Sequence, residues 1–136
     1  MKYYAVLDTN VLVSAMLNIQ SVPGLIFTEA LIGDIIPILH TEIIEEYSEV
    51  LHRDKFHFNP EKVEILLNDI EQRGIFVKQD FVKNTMPDPD DIIFYAVTIG
   101  ARKYMDAYIV TGNLRHFPQE PFVVSPKEML DIIKRG

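Results

Sequence analysis

The stretch YYAVLDTN, residues 3–10, decides the fold of this 136-residue chain. Its first five residues form an apolar run that ends at Asp8, and the polar turn Asp8-Thr9-Asn10 leads into a second apolar segment, residues 11–17. An uninterrupted apolar strand is typical of a parallel sheet covered on both faces, because such a strand has no side open to water. We therefore predict a buried strand over residues 3–7, followed by a loop and a helix over residues 11–17.

The rest of the sequence alternates strands and helices in the same way. Further strands are predicted at residues 35–39, 75–77, 107–111 and 122–124. Further helices are predicted from the residues that begin and end them. Four run from Pro23-Gly24 to Gly33, from Thr41 to His52, from Asn59-Pro60 to Gly74 and from Asp88-Pro89 to Arg102, and the capping-box spacing from Ser125 to Glu128 begins the last one. Strands separated by helices imply right-handed crossovers, so we predict one α/β domain, residues 1–136, with a mainly parallel sheet covered on both faces.

Composition excludes several classes of protein. With 48% hydrophobic and 24% charged residues the chain is not a disordered one, and without cysteine it has no disulfide, thiolate zinc site or cysteine nucleophile. The N-terminal apolar run is far shorter than a signal-peptide core or a membrane span, so we expect a soluble cytoplasmic protein without membrane contact. The net charge of −7 argues against a broad cationic surface for nucleic acid.

Acidic side chains concentrate where the predicted strands end. Asp8 directly follows the first strand, and Thr111-Gly112-Asn113 directly follows the strand at 107–111. The acids of the segment Asp88-Pro89-Asp90-Asp91 begin the helix ahead of that strand. Ligands of open parallel sheets bind outside the carboxyl ends of the strands, so we expect these side chains at one edge of the sheet.

One glutamate of the helix after the second strand is placed to join these acids. With 100° per residue, the apolar positions of this helix form one face, and Glu46 lies closest to that face, about 100° from its centre. The other glutamates lie about 140–160° away and are expected on a solvated face: Glu42, Glu45 and Glu49.

Converging carboxylates predict a cation. Without a positive charge between them they repel one another, which raises their pKa values and destabilises the fold. Mg²⁺ or Mn²⁺ is the simplest solution because these hard ions prefer oxygen ligands. Such an ion polarises a phosphoryl oxygen and lowers the pKa of a bound water, which then attacks a phosphodiester. The acids therefore predict a metal-dependent nuclease.

Each of these residues also has a purely structural interpretation. Asp8 and Asp88 lie where an aspartate caps a helix, and Asp90 and Asp91 lie where acids favour the positive end of a helix dipole. The histidines show no paired metal-ligand spacing and are expected at the surface or at a cleft rim: His40, His52, His57 and His116. The convergence of several acids on one sheet edge favours the functional interpretation.

Four stretches of the sequence together resemble the PIN-domain family, in the branch of toxin components of toxin–antitoxin systems. They are VLDTNVLVS at 6–14, EEYSEVLHR at 45–53, DPDDIIF at 88–94 and IVTGN at 109–113. They occur in the family's order and span nearly the whole chain. The resemblance implies a three-layer α/β/α sandwich with a central, mainly parallel sheet and an acidic pocket that binds Mg²⁺ or Mn²⁺ for RNA cleavage.

The resemblance also implies roles for individual residues. The acids that match the family's catalytic metal ligands are Asp8, Glu46 and Asp91. Asp90 or Asp88 is the alternative to Asp91, because one sequence does not settle the register. The polar residues that match positions near the pocket are Asn10, Ser14 and Thr111. We interpret Thr111 as a hydrogen-bond donor that orients a carboxylate or a metal-bound water.

The chain departs from the family at one position. The family usually has aspartate after Thr-Gly, and this chain has Asn113. An amide can donate to a carboxylate or bind a metal through its oxygen, but it carries no negative charge, so we expect at most one tightly held ion and low activity. Asn113 also motivates an alternative function, a nucleic-acid-binding or regulatory module with weak or no turnover.

Partners are predicted from the few cationic and apolar surface positions. The cationic candidates for substrate contact are Arg53, Lys55, Arg102, Lys103, Arg115 and His116. Arg115 and His116 are placed best because they directly follow a pocket loop, and Phe117 beside them is either a stacking surface or a core residue. RNA is the expected substrate, with structured DNA as the alternative. An antitoxin and a second copy of the chain are expected on the helices at 23–33 and 60–73.

Overall fold

A computed structural model describes residues 2–83 and 86–136 of the chain. The strands are β1 Tyr3–Leu7, β2 Ile35–Leu39, β3 Ile75–Phe76, β4 Ala107–Val110 and β5 Val123–Val124. They form one parallel sheet in the order β3-β2-β1-β4-β5. The helices that flank it are α1 Thr9–Leu17, α2 Val22–Ile32, α3 Thr41–Leu51, α4 Pro60–Arg73, α5 Ile92–Arg102 and α6 Pro126–Arg135. The predicted three-layer α/β/α sandwich is confirmed.

β1 is the central strand, and it places Asp8 in the middle of one sheet edge. It pairs in parallel with β2 on one side and with β4 on the other, where Leu7 lies opposite Val110. The last three residues of β1 are buried, in agreement with the uninterrupted apolar run. The ladder continues beyond the strand, because the Asp8 N–H donates to the Val110 carbonyl at 2.9 Å. Asp8 and Thr111 therefore follow the carboxyl ends of two adjacent strands.

Two helix starts differ from the prediction. α1 begins at Thr9 without a preceding loop, because the Asp8 side chain caps it by accepting from the Thr9 N–H. Thr41 is not a cap but the first residue of α3. The acceptor there is Nδ1 of His40, which lies 3.1 Å from the Glu42 nitrogen. A neutral imidazole offers such an acceptor as well as a hydroxyl does.

The remaining boundaries lie close to the predicted ones. The helix expected from Asp88-Pro89 begins with a 3-10 turn, Pro89–Asp91, and continues as α5. β3, β4 and β5 are each one residue shorter than predicted. The capping box between Ser125 and Glu128 is confirmed. Among the described residues no single helix is long and apolar enough to cross a membrane, and α1 and α2 reach that length only as a pair bent by 102°.

Candidate active site

Asp8 lies at the centre of the sheet edge and is held by three hydrogen bonds. Its Oδ1 accepts from the Thr9 N–H at 2.8 Å, and its Oδ2 accepts from Asn10 Nδ2 at 3.0 Å and from the Thr111 hydroxyl at 2.7 Å. Asp8 is only 4% exposed, and burial raises its pKa while the three donors lower it. A carboxylate has about four acceptor positions, so three donors leave room for a cation.

Side-chain hydrogen bonds join the start of α1 to the loop after β4. Asn10 accepts from the Gly112 N–H through Oδ1 at 3.1 Å while its Nδ2 donates to Asp8. The Thr111 hydroxyl donates to Asp8, the contact expected for it, and accepts from the Asn113 N–H at 3.0 Å. Asn113 takes part through its backbone. Its side chain is exposed and hydrogen-bonds no residue that the structure describes.

Glu46 approaches the same edge from α3. It is half-buried beside the apolar face of the helix, whereas the other three glutamates are exposed. Burial raises the pKa of Glu46, and the negative charges of Asp90, Glu49 and Asp8 raise it further. Charges shift a pKa in this way only over short distances, so Glu46 lies within electrostatic reach of both Asp8 and Asp90.

A buried hydrogen bond holds α3 against β1. The Tyr47 side chain is 1% exposed, and its hydroxyl donates to the Leu7 carbonyl at 2.5 Å. Burial raises the pKa of this phenol well above its usual range, so it stays a donor. Tyr47 and Leu7 are the chain neighbours of Glu46 and Asp8. The bond therefore positions the two backbone segments that carry these acids.

The three acids of the turn before α5 have different surroundings. Asp88 caps the turn, because its Oδ1 accepts from the Asp90 N–H at 3.0 Å. Asp90 is exposed and lines a groove of about 500 Å³ together with Glu46. Asp91 is half-buried, and its Oδ2 lies 3.1 Å from Nδ1 of His116. The turn therefore sends one acid toward Glu46 and another toward the 3-10 turn that follows Asn113.

This contact creates a group of potential metal ligands that the sequence does not indicate. The ligand atoms of Asp88, Asp91 and His116 all lie within 4.8 Å of one another. In the described chain this group includes neither Asp8 nor Glu46, so Asp91 is the one member of the predicted ligand set within it. The sequence places His116 at the substrate instead, because nothing in the spacing pairs it with an acid 25 residues away.

We name the acids at this sheet edge the acidic cluster: Asp8, Glu46, Asp88, Asp90 and Asp91. This cluster carries more negative charge than its described neighbours neutralise. Burial raises the pKa of Asp91 to about 6, the charges of Asp8 and Asp88 add to this effect, and His116 opposes it. No described lysine or arginine forms an ion pair with Asp8, Glu46 or Asp91. Buried carboxylates without a cationic partner are unfavourable, and carboxylate oxygens are the ligands that Mg²⁺ and Mn²⁺ prefer. The residues present therefore fit a divalent cation.

The raised pKa of Asp91 predicts how the metal-free protein responds to pH. Its folded-state pKa of about 6 lies above the unfolded value of about 3.9, so protonation favours the folded state and this stabilisation is lost as the pH rises through 6. Two pKa units correspond to about 3 kcal/mol, which solvent screening reduces to about 1–2 kcal/mol for a half-buried group. In EDTA, urea unfolding should show a more stable protein at pH 5 than at pH 7.

Two variants control this measurement. Asp91→Asn removes the titrating group and should reduce the stability difference between the two pH values. Asp106→Asn should leave it unchanged, because Asp106 is 81% exposed and precedes the opposite end of β4. Adding Mg²⁺ at pH 7 should stabilise the wild type more than Asp91→Asn, since an ion that binds the folded chain favours folding. An equal pH difference in all three proteins would contradict the assignment.

The other residues predicted near the site lie at its margin. Ser14 is half-buried on α1, one helical turn after Asn10, and its side chain hydrogen-bonds no described residue. Arg115 is exposed and borders two cavities beside the turn after Asn113. Phe117 is 7% exposed and packs in the core, so a stacking surface there is wrong. Three predicted cationic contacts are held in ion pairs: Arg53 with Glu49, Arg102 with Asp106 and Lys103 with Asp80.

Comparison with known proteins agrees with this architecture. The family model described as PIN domain matches residues 4–115, which cover most of the chain and all of the acids of the candidate site. A comparison with curated proteins and with solved structures gives no match. The parallel sheet and the acids at its carboxyl edge are consistent with the family match. The chain belongs to the PIN domain family.

Proposed function

We propose that this protein is a metal-dependent ribonuclease that acts as the toxin of a toxin–antitoxin pair. PIN domains are generally metal-dependent nucleases. The observation that carries the proposal is the convergence of three carboxyl groups from separate parts of the chain, those of Asp8, Glu46 and Asp91. Burial raises the pKa of each, and neighbouring acids raise the pKa of Glu46 and Asp91 further. A divalent cation between them would relieve this accumulation of negative charge and would leave positive charge to attract a phosphodiester.

The residues have distinct parts in the proposed chemistry. Asp8, Glu46 and Asp91 are the proposed ligands of one Mg²⁺ or Mn²⁺ ion, and the neighbours that supplement or replace them are Asp88, Asp90 and His116. When bound, the ion supplies Lewis acidity toward the phosphodiester and neutralises part of its charge. Thr111 and Asn10 hold the Asp8 carboxylate in one orientation, as partners of metal ligands commonly do.

Cleavage of RNA is the direct test. We expect the purified protein to cleave a single-stranded fluorogenic RNA when Mn²⁺ or Mg²⁺ is added, and excess EDTA to stop the reaction. A DNA oligonucleotide of the same sequence separates the two substrates. Cleavage of DNA alone would contradict the proposed substrate, and cleavage of neither with either ion would contradict the proposed activity.

Asn113 favours a second candidate function, a nucleic-acid-binding or regulatory module with little turnover. Its exposed side chain stands beside the acidic cluster and adds no negative charge to it. We predict that Asn113→Asp tightens metal binding and raises the cleavage rate about tenfold, because the added carboxylate contributes charge and an oxygen ligand. Calorimetric titration with Mn²⁺ and initial cleavage rates measure the two effects.

A matched variant tests whether position matters in that experiment. Asn68→Asp adds the same charge on the exposed side of α4 and should change neither metal affinity nor rate. If the wild type and Asn113→Asp both bind metal and neither cleaves RNA, the binding module is the better description of the protein.

The proposed toxin role also needs protein partners. Exposed apolar side chains lie on both helices where an interface is predicted: Leu25 and Ile32 on α2, and Ile65 on α4. We propose that an antitoxin, and a second copy of the chain, bind there in the cytoplasm. The mass of the purified protein in solution tests the dimer, and co-purification with the product of a neighbouring small reading frame tests the antitoxin.

A further inference from the structure

Three aromatic side chains are exposed in one region of the surface. Phe76, Phe81 and Tyr104 are 57%, 77% and 82% exposed, and the other large exposed apolar side chains of the described chain are aliphatic. They come from the edge strand β3, from the segment after it, and from the turn after α5. A large apolar patch that is exposed to water commonly marks an interaction site.

Two grooves meet beside these rings. The first, of about 370 Å³, is lined by Phe76, Lys78, Lys103 and Tyr104 among others. The second, of about 500 Å³, is lined by Phe81 and also by Glu46 and Asp90. Gln79 lines both grooves, so the two grooves are neighbours on the surface between the acidic cluster and the exposed rings. We name the three rings and the two lysines beside them the aromatic–lysine patch: Phe76, Lys78, Phe81, Lys103 and Tyr104.

The segment that joins the two grooves is anchored against α5. The Asp80 N–H donates to the Ala96 carbonyl at 3.0 Å, and Asp80 Oδ2 lies 3.1 Å from Lys103 Nζ. Gly100 permits the close approach, because a Cβ at this position would lie 2.1 Å from the Lys78 carbonyl oxygen. The rings therefore stand on a backbone that is already ordered, which lowers the entropy cost of binding a partner.

The patch is positively charged although the protein as a whole is negative. Lys78 and Lys103 bring two positive charges and Asp80 one negative charge, in a chain of net charge −7. Lys78 forms no ion pair with any residue that the structure describes. Exposed rings next to the ammonium groups of Lys78 and Lys103, of which Lys103 also pairs with Asp80, match a flexible polyanion with planar bases, because bases stack on rings and phosphates contact lysines.

We propose that the aromatic–lysine patch binds the single-stranded RNA substrate and that the two neighbouring grooves lead the strand to the acidic cluster. The inference rests on the proposed ribonuclease function and adds to it the surface and the strand state of the substrate. Bases of a duplex are stacked on each other and hidden in the helix, so they cannot stack on Phe81 or Tyr104. The patch therefore selects single strands.

Binding of a labelled oligonucleotide tests the patch without any cleavage. In EDTA, fluorescence anisotropy should show that a fluorescein-labelled RNA of about 12 nucleotides binds more tightly than its duplex form. Phe81→Ala combined with Tyr104→Ala should raise Kd about tenfold or more. Lys78→Gln should lower the slope of log Kd against log salt by about 0.7, as loss of one phosphate contact does for single strands. The controls Leu17→Ala at the end of α1 and Lys62→Gln on α4, both exposed, should bind like the wild type.

Cleavage kinetics then separate this inference from the proposed function. With Mn²⁺, the double aromatic variant should raise KM and keep kcat, because the patch does not touch the reacting phosphate. If the wild type cleaves RNA and the patch variants bind and cleave it equally well, the patch is wrong and the function stands. If no RNA is cleaved but binding depends on the patch, the function fails and the patch stands. Equal affinity for duplex RNA, or a changed oligomeric state with unchanged RNA binding, would overturn the patch.

Discussion

Replacing Asp8 by asparagine is expected to reduce the rate of metal-dependent RNA cleavage by on the order of 100-fold or more while the protein stays folded. Asp8 is the one fully buried acid of the described chain, and it lies at the centre of the sheet edge. Asparagine keeps the oxygen that caps α1, since it is as good a cap as aspartate. Initial rates with Mn²⁺ measure the loss of cleavage, and circular dichroism with thermal unfolding shows whether the variant stays folded.

The stability of this variant is the sum of two opposing effects. Asp8→Asn removes a buried charge, but its amide nitrogen meets two donors, Asn10 Nδ2 and the Thr111 hydroxyl. The hydroxyl can rotate and accept, whereas the amide of Asn10 cannot while it accepts from Gly112. Each effect is about 1–2 kcal/mol, so the net change is small. Asp106→Asn, the exposed control, should cleave like the wild type. Undiminished cleavage by Asp8→Asn would rule out the proposed site.

Replacing Gly100 by alanine should destabilise the protein by about 2–3 kcal/mol. On an exposed helix the same substitution stabilises by about 1 kcal/mol, because alanine is the better helix former. Gly100 is buried against the segment after β3, and its new Cβ would lie 2.1 Å from the Lys78 carbonyl oxygen. The steric effect exceeds the helix-propensity effect, so we expect the free energy of unfolding to fall. Urea unfolding measures it.

A second glycine provides the control for this measurement. At Gly112 the nearest atom to an added Cβ is Asn10 Oδ1 at 3.4 Å, an ordinary contact. Gly112→Ala should therefore change the free energy of unfolding by less than about 1 kcal/mol. Gly100→Ala should also weaken single-stranded RNA binding, because the displaced segment carries Lys78 and joins the two grooves. A Gly100→Ala protein as stable as the wild type would show that the segment does not pack as described.

The sequence predicts the fold well where local pattern and final environment agree. β1 and β2 have the predicted bounds because each is an apolar run with a polar residue directly before and after it. The cap of α3 was missed because a threonine is the usual cap, whereas a histidine acts as one only when its ring nitrogen is turned toward the helix. That orientation depends on the backbone direction at the end of β2, which no local sequence pattern predicts.

The site is predictable where helical periodicity decides and unpredictable where loops meet. Periodicity places Glu46 at the edge of the apolar face of α3, and the structure has it half-buried there. The separation of Asp90 from Asp91 depends on a 3-10 turn, whose three residues per turn change the direction of successive side chains. The pairing of Asp91 with His116 depends on two loops that come together only in the folded protein.

Aromatic residues show a further limit of sequence patterns. Phe117 follows a pocket loop and is predicted as a candidate surface residue, yet it is in the core. Nothing in the sequence distinguishes the aromatic residues Phe81 and Tyr104 from the buried ones, yet they are exposed. Burial of a single aromatic ring depends on which elements pack over it, and that is a property of the tertiary structure.

The hydrogen bond from Tyr47 to the Leu7 carbonyl makes the spacing between the backbones of Glu46 and Asp8 independent of the charge of the cluster. Neither partner gains or loses a proton over the pH range in which the acids titrate. The backbones that carry Glu46 and Asp8 therefore keep their separation whether the carboxyl groups are protonated, ionised or bound to a metal. Protons and metal ions then compete for the same preformed oxygens, and the affinity for metal follows pH as a plain competition between the two.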